Sequence, residues 1–330
     1  MRALLLVNPK ATTTHDRTRD VLIRALSAAV DLSVEETAYR GHASVLAATA
    51  HAKGFDAVAV LGGDGTINET VNGLLDAEPD RPAAERPALI VIPGGSANVF
   101  ARALGLPNNS VEATGAVLEA LREGRRRTIG LGQAIWHDEV SGPDMGAQAD
   151  FDHQRSRYFT FCAGLGYDAE VVRAVEGLRS AGYRALPTLY VMTAVRHFFM
   201  TDRRRPAIRL RRPHRPDEEG IFMAIVSNTA PWTYVGARPV NPTPWAGFGT
   251  GIDLLGLRKM NLATILALVR QMLGERRGLP KGRHLVQLHD EADFTLEAAR
   301  PVAFQLDGDY LGEHEWIVFR SIPDALQVLV

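Results

Sequence analysis

One stretch decides the fold, namely Val58-Ala59-Val60-Leu61-Gly62-Gly63-Asp64-Gly65-Thr66-Ile67-Asn68-Glu69. Its apolar first part is typical of a buried strand, and the glycines after it allow positive φ and a close approach of the backbone. A helical pattern follows at once, with Val71, Leu74 and Leu75 on one face. Because the first N–H groups of a helix have no acceptor within it, this turn predicts a site for an anion such as phosphate.

Two further loops follow apolar strands in the same way. Asn8 to Thr12 comes after Ala3 to Val7, and Gly94 to Asn98 comes after Ala88 to Ile92. Helical patterns alternate with these strands, which predicts an α/β domain with a mostly parallel, doubly wound sheet. Ligands of such sheets bind beyond the carboxyl ends of the strands, so we expect all the glycine and hydroxyl loops to converge there.

The pattern changes after Arg125-Arg126-Arg127. Short strand-like segments separated by turn residues dominate from there on, and they predict a β-rich, sandwich-like C-terminal domain. The predicted domains are therefore residues 1–127 and 128–321. The segments that matter below are the predicted strands Tyr158 to Ala163, Asp293 to Glu297 and Val302 to Leu306, and the predicted helices Ala185 to Phe199 and Leu262 to Leu273.

Composition narrows the class of protein. The chain has 330 residues, of which 46% are hydrophobic and 23% charged, with a net charge of -1. That balance disfavours a general nucleic-acid binder. Cys162 is the only cysteine, so no disulfide framework exists and a reducing, cytoplasmic setting is expected. No apolar run reaches the ~18 residues of a spanning helix, although contact with a membrane surface remains open.

The glycine loops allow two interpretations. Asp64 either faces a metal ion or ordered water, or simply caps the helix that follows. Ser96 either contacts phosphate or serves as an ordinary N-cap. The loops are not a Walker A loop, a Rossmann fingerprint or a hydrolase elbow, because the residues of those motifs are missing.

The turn Asp307-Gly308-Asp309 also allows two interpretations. Asp-Gly is a signal for a tight hairpin, which explains the turn without any chemistry. Alternatively, one of the two carboxylates acts as a general base on a reacting hydroxyl.

Basic residues cluster in two places. From Arg196 to Arg215 there are eight arginines against one acid, Asp202, and apolar and aromatic residues precede them. Such a segment suits an anionic membrane surface, or it is a solvated turn after a core helix. A second cluster follows the apolar segment 262–273 and consists of Arg270, Arg276, Arg277, Lys281 and Arg283.

With these residues assembled, the chain resembles the bacterial diacylglycerol kinase family of lipid kinases, in an actinobacterial-type variant. The ordered motifs that carry the resemblance are Asn8-Pro9, Thr37 with Gly41-His42-Ala43, Gly62 to Glu69, Pro93 to Arg102, Gly164-Leu165-Gly166-Tyr167-Asp168-Ala169, and Asp307-Gly308-Asp309. The Gly-Gly-Asp-Gly-Thr element alone also occurs in NAD kinases and phosphofructokinases. The motifs that follow it in the chain resemble those of the lipid kinases and not those of NAD kinases or phosphofructokinases.

The resemblance implies ATP with Mg²⁺ between two domains, a final strand, residues 322–330, that returns to the first domain, and transfer of the γ-phosphate to a lipid hydroxyl. Asp307 would be the general base, assisted by Asp309, and Asp64 would face the metal. The implied nucleotide contacts are Asn8, Pro9, Lys10, Ala11, Thr12, Thr37, Gly62, Gly63, Asp64, Gly65, Thr66, Ile67, Asn68, Gly95, Ser96 and Asn98.

Three positions depart from the family pattern, because Val99, Gly130 and Thr250 stand where the family commonly has acids. With those acids absent, the resemblance implies that Asp64, Asp307 and Asp309 bear most of the metal and base duties. We expect a lipid kinase that phosphorylates diacylglycerol at an anionic membrane surface, with no nucleic-acid partner and with a homodimer as one assembly. The alternatives are a kinase for a soluble hydroxyl substrate such as NAD, and a nucleotide-binding regulator with little catalysis.

Overall fold

The computed structural model describes residues 1–9, 16–137, 154–180, 206–274 and 278–330. Contacts between Cα atoms divide the chain into two compact units. The first contains Met1–Leu131 and Pro323–Val330, and the second contains Gly132–Ile322. The predicted helix from Ala185 to Phe199 lies outside the described residues.

The first unit alternates strands and helices. Its elements are β1 (Arg2–Val7), α1 (Asp16–Ser27), β2 (Asp31–Glu36), α2 (His42–Ala48), β3 (Ala57–Gly62), α3 (Asp64–Asp76), a short 3₁₀ turn (Ala83–Glu85), β4 (Ala88–Pro93), α4 (Val99–Ala103) and α5 (Ser110–Glu123). The four strands pair in parallel in the order β2, β1, β3, β4. This confirms the predicted α/β domain.

Burial explains why β3 and β4 are apolar throughout. Every residue of both strands is buried, as expected for a parallel sheet that is covered on both faces. On one face, Leu22 and Leu26 of α1 and Val117 of α5 join the same core as the alternate residues of the strands. The last residues of the chain continue this sheet, where Val328 pairs in parallel with Leu89 of β4.

The second unit is rich in strands, as predicted. Most of its strands run antiparallel, and Phe159, Phe294 and Phe304 pack their rings around Phe319 in its core. The elements are β5 (Arg126–His137), whose first residues belong to the first unit, β6 (Gln154–Phe159), β7 (Cys162–Gly166), α6 (Tyr167–Ser180), β8 (Ile208–Arg211), β9 (Glu218–Ile221), β10 (Met223–Ser227), β11 (Thr233–Val235), β12 (Arg238–Val240), β13 (Ile252–Leu257), α7 (Leu262–Met272), β14 (Leu285–Glu291), β15 (Asp293–Leu306) and β16 (Asp309–Leu329), whose last residues belong to the first unit.

Two differences from the predicted strands bear on the site. The single strand expected from Tyr158 to Ala163 is broken at Thr160 and Phe161, between β6 and β7. The two strands expected at 293–297 and 302–306 form one long strand, β15, whose pairing with β16 shifts in register between Glu297 and Val302. The break at Thr160 holds the turn at Asp307, as described below.

Candidate functional site

The two glycine loops of the first unit touch through their backbones. The Gly94 N–H donates to the Gly62 carbonyl at 2.8 Å. A Cβ atom built on Gly95 would lie only 2.7 Å from the Cα of Gly63, which is closer than a side chain allows. Glycine is therefore required at position 95 to bring the ends of β3 and β4 together.

Asp64 links the first loop to the helix after the second. Its two carboxylate oxygens accept the N–H groups of Val99 and Phe100, each at 3.1 Å. Helix α3 itself begins after Gly63 and has no side-chain cap. The interpretation that Asp64 caps its own helix is therefore wrong, because the carboxylate binds the start of α4 instead.

Asn98 closes the second loop. It is buried, adopts a left-handed conformation with φ 48°, and precedes α4 as its N-cap residue. Its Oδ1 accepts the Gly95 N–H at 2.8 Å, and its Nδ2 donates to the Gly95 carbonyl at 2.7 Å. Ser96 is exposed in the middle of this loop, so the interpretation of Ser96 as the N-cap of α4 is also wrong.

The ends of β1 and β2 reach the same edge of the sheet. The Asn8 Nδ2 donates to Thr66 Oγ1 at 3.0 Å, and the Thr37 N–H donates to the Val7 carbonyl at 2.9 Å. The predicted contacts Asn8, Thr37 and Thr66 are thus brought together, and the Gly41 N–H adds a bond to Glu69 Oε1 at 2.8 Å. Pro9 is the last residue described before a gap, and the predicted contacts Lys10, Ala11 and Thr12 lie outside the described residues.

Two of the predicted contacts lie on the buried side of α3. Ile67 and Asn68 are fully buried, and Asn68 Oδ1 accepts from Asn72 Nδ2 at 3.1 Å. Gly65 differs from both, because a Cβ built there would meet nothing within 4 Å. Space for a ligand therefore lies beside Gly65 at the start of α3.

The donors of this edge suit an anion better than a bare metal ion. Helix α3 begins with N–H groups that have no acceptor within the helix, and Asp64 is already bound to two backbone donors. Within the described part of the chain, no group of three or more His, Cys, Asp or Glu side chains is placed to hold a metal. A Mg²⁺ ion would need phosphate oxygens to complete its ligands, and Asp64 would be the residue that offers it a carboxylate.

In the second unit, Asp307 and Gly308 form the tight turn between β15 and β16. Leu306 pairs with Asp309 across it, and both turn residues have positive φ, 48° and 83°. The hairpin interpretation of Asp-Gly is therefore confirmed. The Asp307 side chain nevertheless turns inward, since only 6% of the residue is exposed.

Four donors surround the Asp307 carboxylate, and they belong to the break between β6 and β7 and to the first residue of β7. Oδ2 accepts from the Thr160 N–H at 2.6 Å and from the Thr160 hydroxyl at 2.7 Å, and Oδ1 accepts from the N–H groups of Phe161 and Cys162 at 3.0 Å. Burial raises the pKa of Asp307 above its usual range, while these hydrogen bonds act in the opposite direction.

A second buried acid, Asp168, lies behind the same turn. Its Oδ2 accepts from Gln305 Nε2 at 2.9 Å, and Gln305 Oε1 accepts the N–H of Gly308 at 2.9 Å. Burial raises the pKa of Asp168 to about 6, and the bond from Gln305 opposes that rise. A Cβ on Gly164 would lie 1.8 Å from this carboxylate, so the glycine of the 164–169 motif makes room for the acid.

Two more side chains that were not predicted stabilise this turn. Arg157 forms an ion pair with Asp309 at 3.0 Å, which engages the second predicted catalytic carboxylate. The buried Asn228 Nδ2 donates to the Thr160 carbonyl at 3.0 Å. Thr160, Asn228 and Gln305 come from separate strands or their ends, so no local motif signals them; only the 164–169 motif pointed to Asp168.

The positions that depart from the family pattern have local roles. Val99 offers its N–H to Asp64. Gly130 lies buried within β5. The Thr250 hydroxyl donates to the Gly247 carbonyl at 2.9 Å and thereby closes a turn.

The described part of the predicted arginine cluster is largely neutralised. Arg209 pairs with Glu219 at 2.7 Å, Arg211 with Glu297 at 3.3 Å, and Arg212 with both Glu218 and Glu291. Residues 196–205 lie outside the described residues. The described arginines therefore do not form the open basic surface that the sequence suggested.

Glycine loops at the carboxyl ends of parallel strands, joined to helix N-termini, define a class of α/β proteins that bind phosphate groups of nucleotides. Comparison with known families finds one matching family model. Residues 2–134, less than half of the chain, match the diacylglycerol kinase catalytic domain. This segment is therefore similar to that catalytic domain.

Named relatives are similar to part of the chain. The diacylglycerol kinase of Bacillus subtilis is 40% identical over 114 residues, which cover 34% of each chain. That of Staphylococcus aureus (strain bovine RF122 / ET3-1) is 34% identical over 134 residues, 40% of this chain and 39% of the relative. These matches span only about a third of the relatives' length.

Solved structures extend the likeness of the fold to nearly the whole chain. A diacylglycerol kinase structure from Bacillus anthracis covers 99% of this chain and 96% of its own, with a TM-score of 0.66 at 19% identity. A second structure from that organism reaches a TM-score of 0.72 at 20% identity over the same shares. Among the described residues, no helix is long and apolar enough to cross a membrane.

Proposed function

We propose that the protein is a lipid kinase, which transfers the γ-phosphate of ATP to the free hydroxyl of a diacylglycerol and forms phosphatidic acid. The observation that carries the proposal is the pair of joined glycine loops, within a segment that matches the diacylglycerol kinase catalytic domain. The protein would act in the cytoplasm, at the surface of a membrane that contains its substrate.

The phosphate end of the reaction is assigned to the first unit. The start of α3 and the loop around Gly95 would bind the phosphates of ATP through backbone N–H groups, and Asn8 and Thr66 lie beside them. When bound, Mg²⁺ would neutralise phosphate charge. Phosphoryl transfer depends mainly on positioning and on neutralising charge, so a site made largely of backbone donors suits it.

The hydroxyl end of the reaction is assigned to Asp307. As general base, its carboxylate would accept the proton of the lipid hydroxyl. Three of its four donors are backbone N–H groups in a fixed chain, whereas the Thr160 hydroxyl can rotate away. When the Thr160 hydroxyl rotates away, the hydroxyl of the lipid substrate would take its place and donate to Asp307 Oδ2.

A screen of acceptors tests the proposal. Labelled ATP and Mg²⁺ would be mixed with the protein and with short-chain diacylglycerol, NAD or no acceptor. We expect label only in the lipid product. Transfer to NAD would favour the kinase for a soluble substrate, and nucleotide binding by calorimetry without any transfer would favour the regulator.

A further inference from the structure

Helix α7 (Leu262–Met272) is apolar on more than one side. Leu268 and Met272 are buried, and they pack in one core cluster with Val240, Leu255 and Leu257. Asn261 caps the helix by accepting the Thr264 N–H at 2.8 Å. The burial of Leu268 and Met272 explains why α7 packs against the strands of the second unit. These two residues are only part of the apolar surface of the helix.

The other side of α7 exposes a continuous apolar stripe. Leu262, Leu266 and Val269 are 54%, 59% and 41% exposed, and their spacing of four and three residues puts them on one face. Ala263 and Ala267 are exposed as well. Exposing two leucines and a valine in one row to water is unfavourable, and an exposed apolar stripe of this kind marks an interaction site.

The charge around this stripe has one sign. Residues 259–289 contain six lysines and arginines but a single acid, Glu275. Four of the six are described and exposed, namely Lys259, Arg270, Lys281 and Arg283. None of these four forms an ion pair within the part of the chain that the structure describes, unlike Arg209, Arg211 and Arg212 of the same unit.

These cations lie close to the ends of α7. The Lys281 backbone is bound to the Gln271 side chain, through its N–H at 2.8 Å and its carbonyl at 3.1 Å. Partial burial and then the charges of Arg283 and Lys259 lower the pKa of His284, so both cations lie within electrostatic range of one imidazole. Basic residues therefore flank the apolar stripe on the side of its C-terminal turn and near its start.

We propose that the exposed face of α7 binds the surface of an anionic lipid membrane, with Leu262, Leu266 and Val269 inserted between the headgroups and the four cations beside the lipid phosphates. An apolar face bordered by lysine and arginine is the pattern of a helix that lies in the membrane interface. The inference rests on the proposed function and deepens it, because it names the surface through which a lipid kinase would reach its substrate.

A second copy of the chain fits this face less well. In a twofold symmetric dimer the same surface meets itself, so the stripe would bring its cations toward the cations of the partner. No acid within the described residues 259–274 and 278–289 would offset that repulsion. Anionic lipids supply the missing negative charge.

Sedimentation with vesicles tests the proposal directly, without ATP. The double variant Leu262→Ser/Leu266→Ser should bind vesicles of mixed phosphatidylglycerol and phosphatidylcholine at least about tenfold more weakly than the unmodified chain. The matched control is Val21→Ser/Val111→Ser, which changes exposed valines on α1 and α5 of the first unit. It should bind vesicles as the unmodified chain does.

The charge component has its own pair of variants. Lys281→Gln/Arg283→Gln should weaken binding to anionic vesicles by roughly tenfold or more, and the loss should shrink at high salt. Arg122→Gln/Arg125→Gln, in the last turn of α5 and two residues beyond its end, changes the net charge equally and should have little effect. Equal losses for both pairs would mean that only net charge matters, which would overturn the assigned surface.

Two other outcomes would overturn the proposal. One is vesicle binding that is absent or insensitive to the leucine variant. The other is a dimer, detected by sedimentation velocity, that the leucine variant dissociates. Phosphorylation of a short-chain, water-dispersed diacylglycerol, measured on the same samples, separates this test from the proposed activity, because that substrate does not require docking.

Discussion

The glycine loops of the first unit and the Asp307 turn of the second are both tight turns at strand ends, but they are stabilised in different ways. Gly63 and Gly95 meet backbone to backbone. The Asp307 turn depends instead on two buried carboxylates, Asp307 and Asp168, and on side chains that bridge them to the backbone. The first arrangement depends on the absence of side chains and the second on buried polar side chains that are hydrogen-bonded to one another and to the backbone.

This difference predicts how each turn fails. Adding one methyl group to the glycine loops should harm them at every pH, since the cause is steric. The Asp307 turn should respond both to lost space and to pH, because ionising a buried carboxyl costs free energy. Three substitutions distinguish these two kinds of failure.

Gly164→Ala should have the largest effect. Its Cβ would lie 1.8 Å from Asp168 Oδ2 and 2.7 Å from Gln305 Nε2, so the buried acid would lose its partner. We expect a loss of about 4 kcal/mol in the free energy of unfolding, measured by urea denaturation. Gly177→Ala on α6 is the control, because its Cβ meets nothing within 4 Å. A loss no larger than that of the control would show that Gly164 does not make room for Asp168.

Asp168→Asn should change how stability depends on pH. Burial raises the pKa of Asp168 from 3.8 to about 6, so the folded state binds this proton more tightly than the unfolded state. The unmodified chain should therefore lose stability as the pH rises from about 4 to about 7, whereas the amide is not ionised.

The measurement compares the free energies of unfolding of the two chains across that range. Relative to the unmodified chain, Asp168→Asn should gain up to about 3 kcal/mol between pH 4 and pH 7, since one pKa unit corresponds to about 1.4 kcal/mol. A difference that stays constant or falls over this range would contradict the burial of an ionisable acid at position 168.

Gly95→Ala should have the smallest effect on stability but a clear effect on binding. The added Cβ, 2.7 Å from the Gly63 Cα, would separate the loops and cost about 2 kcal/mol at any pH. Calorimetry should show roughly tenfold weaker ATP binding or worse. Gly115→Ala on α5, whose Cβ has open space, should stabilise the chain by about 0.5–1 kcal/mol and leave ATP binding unchanged. Unaltered ATP affinity in Gly95→Ala would remove this contact from the phosphate site.

The first unit could be predicted well because its determinants are local. The apolar strands β1, β3 and β4 are each followed within a few residues by the loop that they position. The roles of Asp64 and Ser96 within those loops could not be read in the same way. The Asp64 carboxylate binds N–H groups 35 and 36 residues further along the chain, and no pattern within one helix reveals such a partner.

The second unit shows where prediction from sequence stops. The Asp-Gly turn can be predicted, because the turn residues determine the hairpin locally. The break at Thr160 and Phe161 cannot be predicted, because both residue types are common in strands. The strand is interrupted there by hydrogen bonds to Asp307, about 147 residues away along the chain. Asn228 and Gln305 complete the arrangement from other strands. Contacts at such separation come from the fold and not from any local motif.

The turnover of Asp307→Asn tests the central claim most directly. The rate of phosphate transfer from ATP to short-chain diacylglycerol would be measured for the unmodified chain, for Asp307→Asn and for Asn228→Ala, each corrected for its folded fraction. Asn228→Ala removes a support of the same turn without removing the carboxylate. If Asp307 is the base, Asp307→Asn should lower kcat by roughly 100-fold or more with ATP affinity unchanged, while Asn228→Ala should keep most of its turnover. Near-normal turnover by folded Asp307→Asn would contradict the account.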